Sequence, residues 1–176
     1  TLNLTSSDHC YNIMPLFHIH GLIAILSSSI YAGASVYTSV GFNALSFLDK
    51  ARKENISWYS GVPTMHQGIL MRAKKNMEQA KNLSLRFIRS SSASLPPAVF
   101  EELIDVFKAP VIEAYGMTEA THQMTSNPIP PEIQKAGFVG KPAGPDVCIM
   151  DIDGNKLKSG SEGEVCIRGD NVMLGY

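Results

Sequence analysis

The 176-residue chain carries 15 basic and 16 acidic residues, a formal net charge of −1, and is 44% apolar. Balanced charge removes the electrostatic case for a nucleic-acid or anionic-membrane partner, and the apolar fraction is that of a globular protein with one good-sized core. Cys10, Cys148 and Cys166 are widely spaced, form no CxxC or metal-ligand set, and lie in apolar surroundings, so they read as buried reduced thiols.

In chain order, short apolar or β-branched runs at residues 11–14, 34–37, 57–60, 86–89 and 110–113 read as strands, with helical periodicity between them. Residues 21–30 are apolar nearly all round and predict a buried helix. They lie in the longest apolar stretch, 21–37, which Ser27-Ser28-Ser29 and Gly33 interrupt, so no membrane span is expected. Nor does a charged segment precede an apolar one as in a secretion signal. Phe42, Leu45, Leu48 and Ala51 recur every three residues and predict an amphipathic helix. Pro63 opens a helix with Ile69 and Leu70 inward, and Pro96-Pro97 opens another with Val99, Leu103 and Val106 inward. Residues 77–82 read as a charged surface stretch. Strands alternating with helices predict an α/β fold, a parallel sheet with flanking helices.

The pattern changes at Asn127-Pro128-Ile129-Pro130-Pro131. Beyond it come glycine-punctuated β runs, Val147-Cys148-Ile149-Met150 and Glu164-Val165-Cys166-Ile167-Arg168, with a turn at Asp153-Gly154-Asn155. This predicts antiparallel β with tight turns. We therefore divide the chain into an α/β unit, 1–130, and the beginning of a small β-barrel unit, 131–176. The chain starts and stops in mid-segment and reads as a piece of a longer protein.

The chemistry concentrates after the strand at 110–113. In an open α/β sheet, ligands bind at the carboxyl ends of the strands. There Thr118 offers a hydroxyl to a phosphate, Glu119 a carboxylate to a hard cation such as Mg2+, and Tyr115 a flat face to a ring, which together suggest a Mg-nucleotide site. His122, three residues further on, taken alone reads as a surface histidine; beside a phosphate-and-cation site it is placed to meet an anionic substrate. His18 and His20 follow the first strand. They lack a third ligand nearby, so substrate contact suits them better than metal; a helix cap or a packed histidine is the alternative for either alone. Ser90 to Ser94 end another strand. Small residues there let a ring or a small acid approach the backbone, and they also suit a helix N-terminus, which attracts anions. The chain contains no GxGxxG, GxxxxGK[ST], GxSxG or HExxH, so a dinucleotide dehydrogenase, a P-loop ATPase, an α/β-hydrolase and a zinc protease lack support.

Tyr115-Gly116-Met117-Thr118-Glu119 resembles the adenine-and-phosphate motif of the adenylate-forming superfamily of acyl- and aryl-CoA synthetases, luciferases and peptide-synthetase adenylation domains. Pro15-Leu16-Phe17-His18 resembles its substrate-side loop and Ser90 to Leu95 its small-residue adenine-contact strand. Gly137 to Pro142 and Gly163 to Gly169, running on to Tyr176, resemble the stretches that open its small β-barrel. Phe17-His18-Ile19-His20-Gly21-Leu22, Arg86 to Ser90 and Glu119 to Asn127 are similar to the oxalate–CoA ligase branch, whose neighbours are the 4-coumarate–CoA ligases.

The resemblance implies an AMP-forming acid–CoA ligase using ATP, Mg2+ and coenzyme A on a small polar acid such as oxalate; the alternatives are a ligase for medium-chain fatty or aromatic acids and a non-catalytic adenylate-binding homologue. Ser92, Ala93, Ser94, Glu113, Ala114, Tyr115, Gly116, Met117 and Thr118 would hold the nucleotide. Thr118 would contact the α-phosphate and Glu119 would bind Mg2+. His18 or His20, one of Ser92 and Ser94, and His122 would hold the acid, with imidazolium and hydroxyl groups compensating its buried carboxylate. It also implies that a Gly/Ser/Thr-rich phosphate loop precedes Thr1, that a ribose-binding Asp and a mobile lid with its Lys follow Tyr176, and that residues 1–176 alone do not turn over. A cytoplasmic location is expected, with the peroxisome as the alternative.

Overall fold

A computed structural model describes residues 1–176. The strands are β1 (His9–Asn12), β2 (Ser35–Thr38), β3 (Trp58–Gly61), β4 (Phe87–Ser90), β5 (Val111–Tyr115), β6 (Thr125–Ser126), β7 (Lys141–Pro142), β8 (Asp146–Met150) and β9 (Glu164–Arg168). The helices are α1 (Ser28–Tyr31), α2 (Ala44–Lys53), α3 (Pro63–Lys74), α4 (Met77–Lys81) and α5 (Pro97–Phe107); a wider, π-type segment, His20–Ser27, runs into α1. One sheet has the order β2-β1-β3-β4-β5-β6-β7, parallel up to β5 and antiparallel from β5 through β6 to β7; β8 and β9 form a separate antiparallel pair. The five predicted strands are therefore present, each within two residues of the expected start. Residues after 130 add β7 to the large sheet before building the β8–β9 hairpin.

Register explains both the core and the position of the site. Tyr11, Tyr59 and Ile88 lie side by side on one face of the sheet. With α2, α3 and α5 they enclose a core of 22 buried residues. On the opposite face the row Cys10–Trp58–Phe87 is apolar and packs with Ile25 and Ile112. Two residues further along the same strands, on that same face, the row becomes Asn12–Ser60–Arg89, and all three are buried. Period-2 alternation thus carries one face of the sheet from apolar to polar towards its carboxyl edge.

Local sequence sets the helix ends. The Asn43 side chain accepts from Leu45 N at 2.9 Å and caps α2. Pro63 and Pro97 occupy first-turn positions of α3 and α5, where a missing N–H costs nothing. Lys108, in the left-handed region at φ 53°, stops α5.

Four expectations are corrected. The helix at 20–31 is not buried all round: Leu22, Ile30 and Tyr31 are exposed, while Ile25 and Ser29 face the sheet. Leu45 points outward, and α2 buries Phe47, Leu48 and Ala51 instead. Residues 77–81 form a short helix that buries Ala80. Only Cys10 is a buried thiol; Cys148 and Cys166 are half-buried and face each other across β8 and β9, a proximity that 17 intervening residues conceal in the sequence.

Candidate active site

Strand β5 ends at Tyr115, and a tight turn follows, with Thr118–Ala120 in a 3-10 helix. The chain then doubles back: His122 N donates to Met117 O at 3.0 Å, and Met124 N to Tyr115 O at 2.9 Å. Gly116 lies directly under the returning strand. A Cβ there would sit 1.2 Å from His122 O, so no other residue allows this crossing. Thr121 and His122 both take positive φ, 49° and 80°, a strain that the surrounding hydrogen bonds must hold. Those bonds come from beyond β9: Asn171 donates through Nδ2 to Ala120 O and Gln123 O, its own carbonyl accepts from the Thr121 hydroxyl, and Met173 N donates to Glu119 O.

Two adjoining cavities open at this turn. The first, of about 280 Å3, is lined by Ser92, Ala93, Ser94, Glu113, Ala114, Tyr115 and Gly116, with Gly137 and Val139 opposite. These are the residues expected to hold the nucleotide, apart from Met117 and Thr118. Glu113 is buried, accepts from Gly137 N at 3.0 Å, and has its pKa raised by burial. The second, of about 450 Å3, brings together His18, His20, Ser92, Met117, Thr118, Glu119 and His122. The cavities share Ser92 and Gly116. Ser92 and Ser94 separate here: Ser92 bonds His20, while Ser94 lines only the first cavity. The histidines separate too. His18 is exposed beside Phe17 at the cavity mouth, and His20 is buried in the wall.

His20 and His122 stand edge to face with ring centres 5.3 Å apart. Neither is an imidazolium. Burial first, then the nearby Arg89 cation and the facing His122, lower the pKa of His20 to about 2; burial and Arg89 lower that of His122 to about 3. Burial first, and then the Arg89 cation, favour neutral rings here over the imidazolium expected from the sequence. Arg89 itself was not singled out from the sequence. It is only 1% exposed, and burial lowers its pKa to about 10, which leaves it cationic at neutral pH. No carboxylate pairs with it: its guanidinium donates to the Ser60 hydroxyl and the Gln123 carbonyl oxygen, both at 3.3 Å, and its Nε has no partner. A buried, uncompensated cation is expensive and so marks a functional site.

The Mg2+ expectation meets a single carboxylate. Glu119 is half-buried at the second cavity and bonded by the Tyr176 hydroxyl at 2.5 Å, with no basic partner. No group of three His, Cys, Asp or Glu side chains stands together anywhere. That donor set fits a cation held by one carboxylate plus phosphate oxygens and water, the usual Mg2+ arrangement.

A third cavity, of about 550 Å3, lies behind His122 and Arg89, against Ile23, Ala24 and Tyr31. His122 is therefore a partition, lining both this space and the second cavity. No helix is long and apolar enough to cross a membrane.

The family described as "AMP-binding enzyme" matches residues 1–176. The chain is 49% identical to an oxalate–CoA ligase of Arabidopsis thaliana, over 98% of the chain and 34% of that protein. It is 48% identical to an oxalate–CoA ligase of Saccharomyces cerevisiae, over 100% of the chain and 32% of that protein. Its fold superposes on the crystal structure of ATP-bound MatB from Rhodopseudomonas palustris with a TM-score of 0.88, at 27% identity, over 99% of the chain and 34% of that structure. The chain thus spans about a third of the length of the relatives it matches.

Proposed function

The chain belongs to the AMP-binding enzyme family, and from its cavities we propose that it is the nucleotide- and acid-binding part of an ATP-dependent acid–CoA ligase whose preferred acid is oxalate or another small polar acid. The observation that carries this reading is the second cavity: polar groups from three strand ends converge there, next to the nucleotide cavity, and a buried arginine without a counter-ion is linked to its His20 through Ser60. A fatty-acid tunnel would leave those groups unpaired. The A. thaliana and S. cerevisiae oxalate–CoA ligases support the choice of acid.

In this reading the first cavity takes the adenine, against the Tyr115 ring and the small side chains of Ser92 to Ser94. The acid lies in the second cavity with its distal carboxylate towards Ser92, His20 and His122. Its reacting carboxylate oxygen attacks the α-phosphorus of ATP; the new O–P bond gives the acyl-adenylate, and the bond to the β-phosphate oxygen breaks to release pyrophosphate. The thiolate of coenzyme A then attacks the acyl carbon, forming the thioester and expelling AMP. Thr118 donates its hydroxyl to the α-phosphate and Glu119 holds Mg2+, which neutralises phosphate charge when bound. Positioned donors serve the same end, because two anions must be brought together.

The third cavity favours a second reading, a medium-chain or aromatic acid whose tail passes His122 towards Ile23 and Tyr31. Pyrophosphate release by the full-length protein with oxalate, malonate, acetate, octanoate and coumarate separates the two. Selective oxalate turnover, lost in His122→Ala, is expected; preferred turnover of octanoate or coumarate would overturn the polar-acid reading.

A further inference from the structure

We infer that Arg89 and Ser60 are positioning residues that act through His20, fixing its tautomer so that a one-directional hydrogen-bond chain, Arg89 to Ser60 to His20 to Ser92, ends in a donor aimed at the acid. The inference deepens the proposed function and rests on its assignment of the second cavity to the acid.

Donor and acceptor counts fix the direction. A guanidinium donates and cannot accept, so at 3.3 Å the Ser60 Oγ must accept from Arg89. Ser60 is fully buried, and His20 Nε2 stands 2.7 Å from its oxygen. If Nε2 carried the proton, it would also donate to that oxygen, and the Ser60 hydroxyl proton would be stranded in the interior. The arrangement that satisfies every atom has Ser60 donating to Nε2. His20 is neutral, so its one proton then sits on Nδ1, which donates to Ser92 Oγ at 3.0 Å. The Ser92 hydroxyl proton is thereby free, and Ser92 is exposed to the cavity. Polarisation by a buried cation strengthens each bond down the chain, so the terminal donor resembles a charge-assisted one without placing a charge in the cavity.

The register prepares this chain. Asn12, Ser60 and Arg89 are neighbours across β1, β3 and β4, so Arg89 reaches Ser60 laterally within one sheet face. His20 approaches from the π-type segment above that face, and Ser92 comes from the loop after β4 at φ 73°. Three segments distant in sequence, at residues 20, 60 and 89–92, meet because the strands are parallel and in this register.

The test uses the full-length protein with Ser60→Ala, Arg89→Met and the double variant. Each single change should lower kcat/KM for oxalate roughly tenfold or more, the scale of one hydrogen bond to a charged network, and the double should lose little beyond either single. Arg89→Lys, which keeps a cation and donors, should recover part of the loss, as packing alone would not require. Long-range 1H–15N spectra of histidine-labelled protein should assign the His20 proton to Nδ1, and to a mixture of nitrogens in Ser60→Ala. A proton on Nε2 in the wild type, oxalate kcat/KM unchanged in Ser60→Ala, or losses that add in the double variant would overturn the inference. Absence of turnover with every acid would instead defeat the proposed function and leave the tautomer measurement standing.

Discussion

The α/β region and the β8–β9 hairpin are built on different principles. The first buries 22 residues in one cluster and 7 in another on the opposite sheet face. Past Asn127, Pro145 alone is buried, and the hairpin is held by its own ladder, a turn and an exposed Arg168–Asp146 ion pair. Yet the hairpin's far end supplies the hydrogen bonds that hold the strained turn bearing Thr118, Glu119 and His122. Stability and site geometry therefore come from separate parts: the sheet sets where the polar row lies, and the segment after β9 sets how the turn bearing Thr118, Glu119 and His122 is shaped.

The sharpest way to break this contrast is a cavity in the core. Leu103 is fully buried in the larger cluster, and Leu103→Ala should cost about 2–5 kcal/mol of global stability by urea titration. A loss confined to one local segment would contradict the single cluster. Next comes pH. His20, His66 and His122 are buried and have pKa values lowered to about 2, about 4 and about 3, so the unfolded chain takes up protons first as pH falls below 6.5. Stability contributed by the neutral rings is fully present above pH 6.5 and is lost as pH falls towards those values. Between pH 7 and 5 each ring should account for about 2 kcal/mol, and replacing His66 by Gln should remove its share of the slope. A flat profile would show that these rings are not buried neutral. The smallest effect is in the hairpin: Asp151 Oδ1 accepts from Asp153 N and Asn155 N. Asp151→Ala should speed hydrogen exchange near residues 151–155 while leaving the global unfolding midpoint and acid turnover unchanged. A shifted midpoint would mean that the two regions unfold as one.

The five parallel strands were legible because each is a short apolar run separated by helical periodicity, and the gathering of Thr118, Glu119 and His122 at one cavity because their motif is local. The helix at 20–31 was misjudged because apolar composition does not reveal which side meets the sheet. Arg89 stayed hidden for a related reason. All four residues of β4 are buried, so no alternation sets the arginine apart. An arginine within a strand covered on both faces is the signal that would have found it. Asn171 leaves no trace in the sequence either, since its partners lie about 50 residues away. Neutral histidines could not be foreseen, because their charge state depends first on burial, and for His20 and His122 also on a cation brought close by strand register.

The central claim is that the acid occupies the cavity joining Ser92, His20 and His122 to the nucleotide site. The most direct measurement is a crystal structure of the full-length protein with AMP and oxalate. The account predicts a carboxylate oxygen at about 3 Å from Ser92 Oγ, on the nucleotide side of His122. Oxalate bound instead behind His122, against Ile23 and Tyr31, would contradict it.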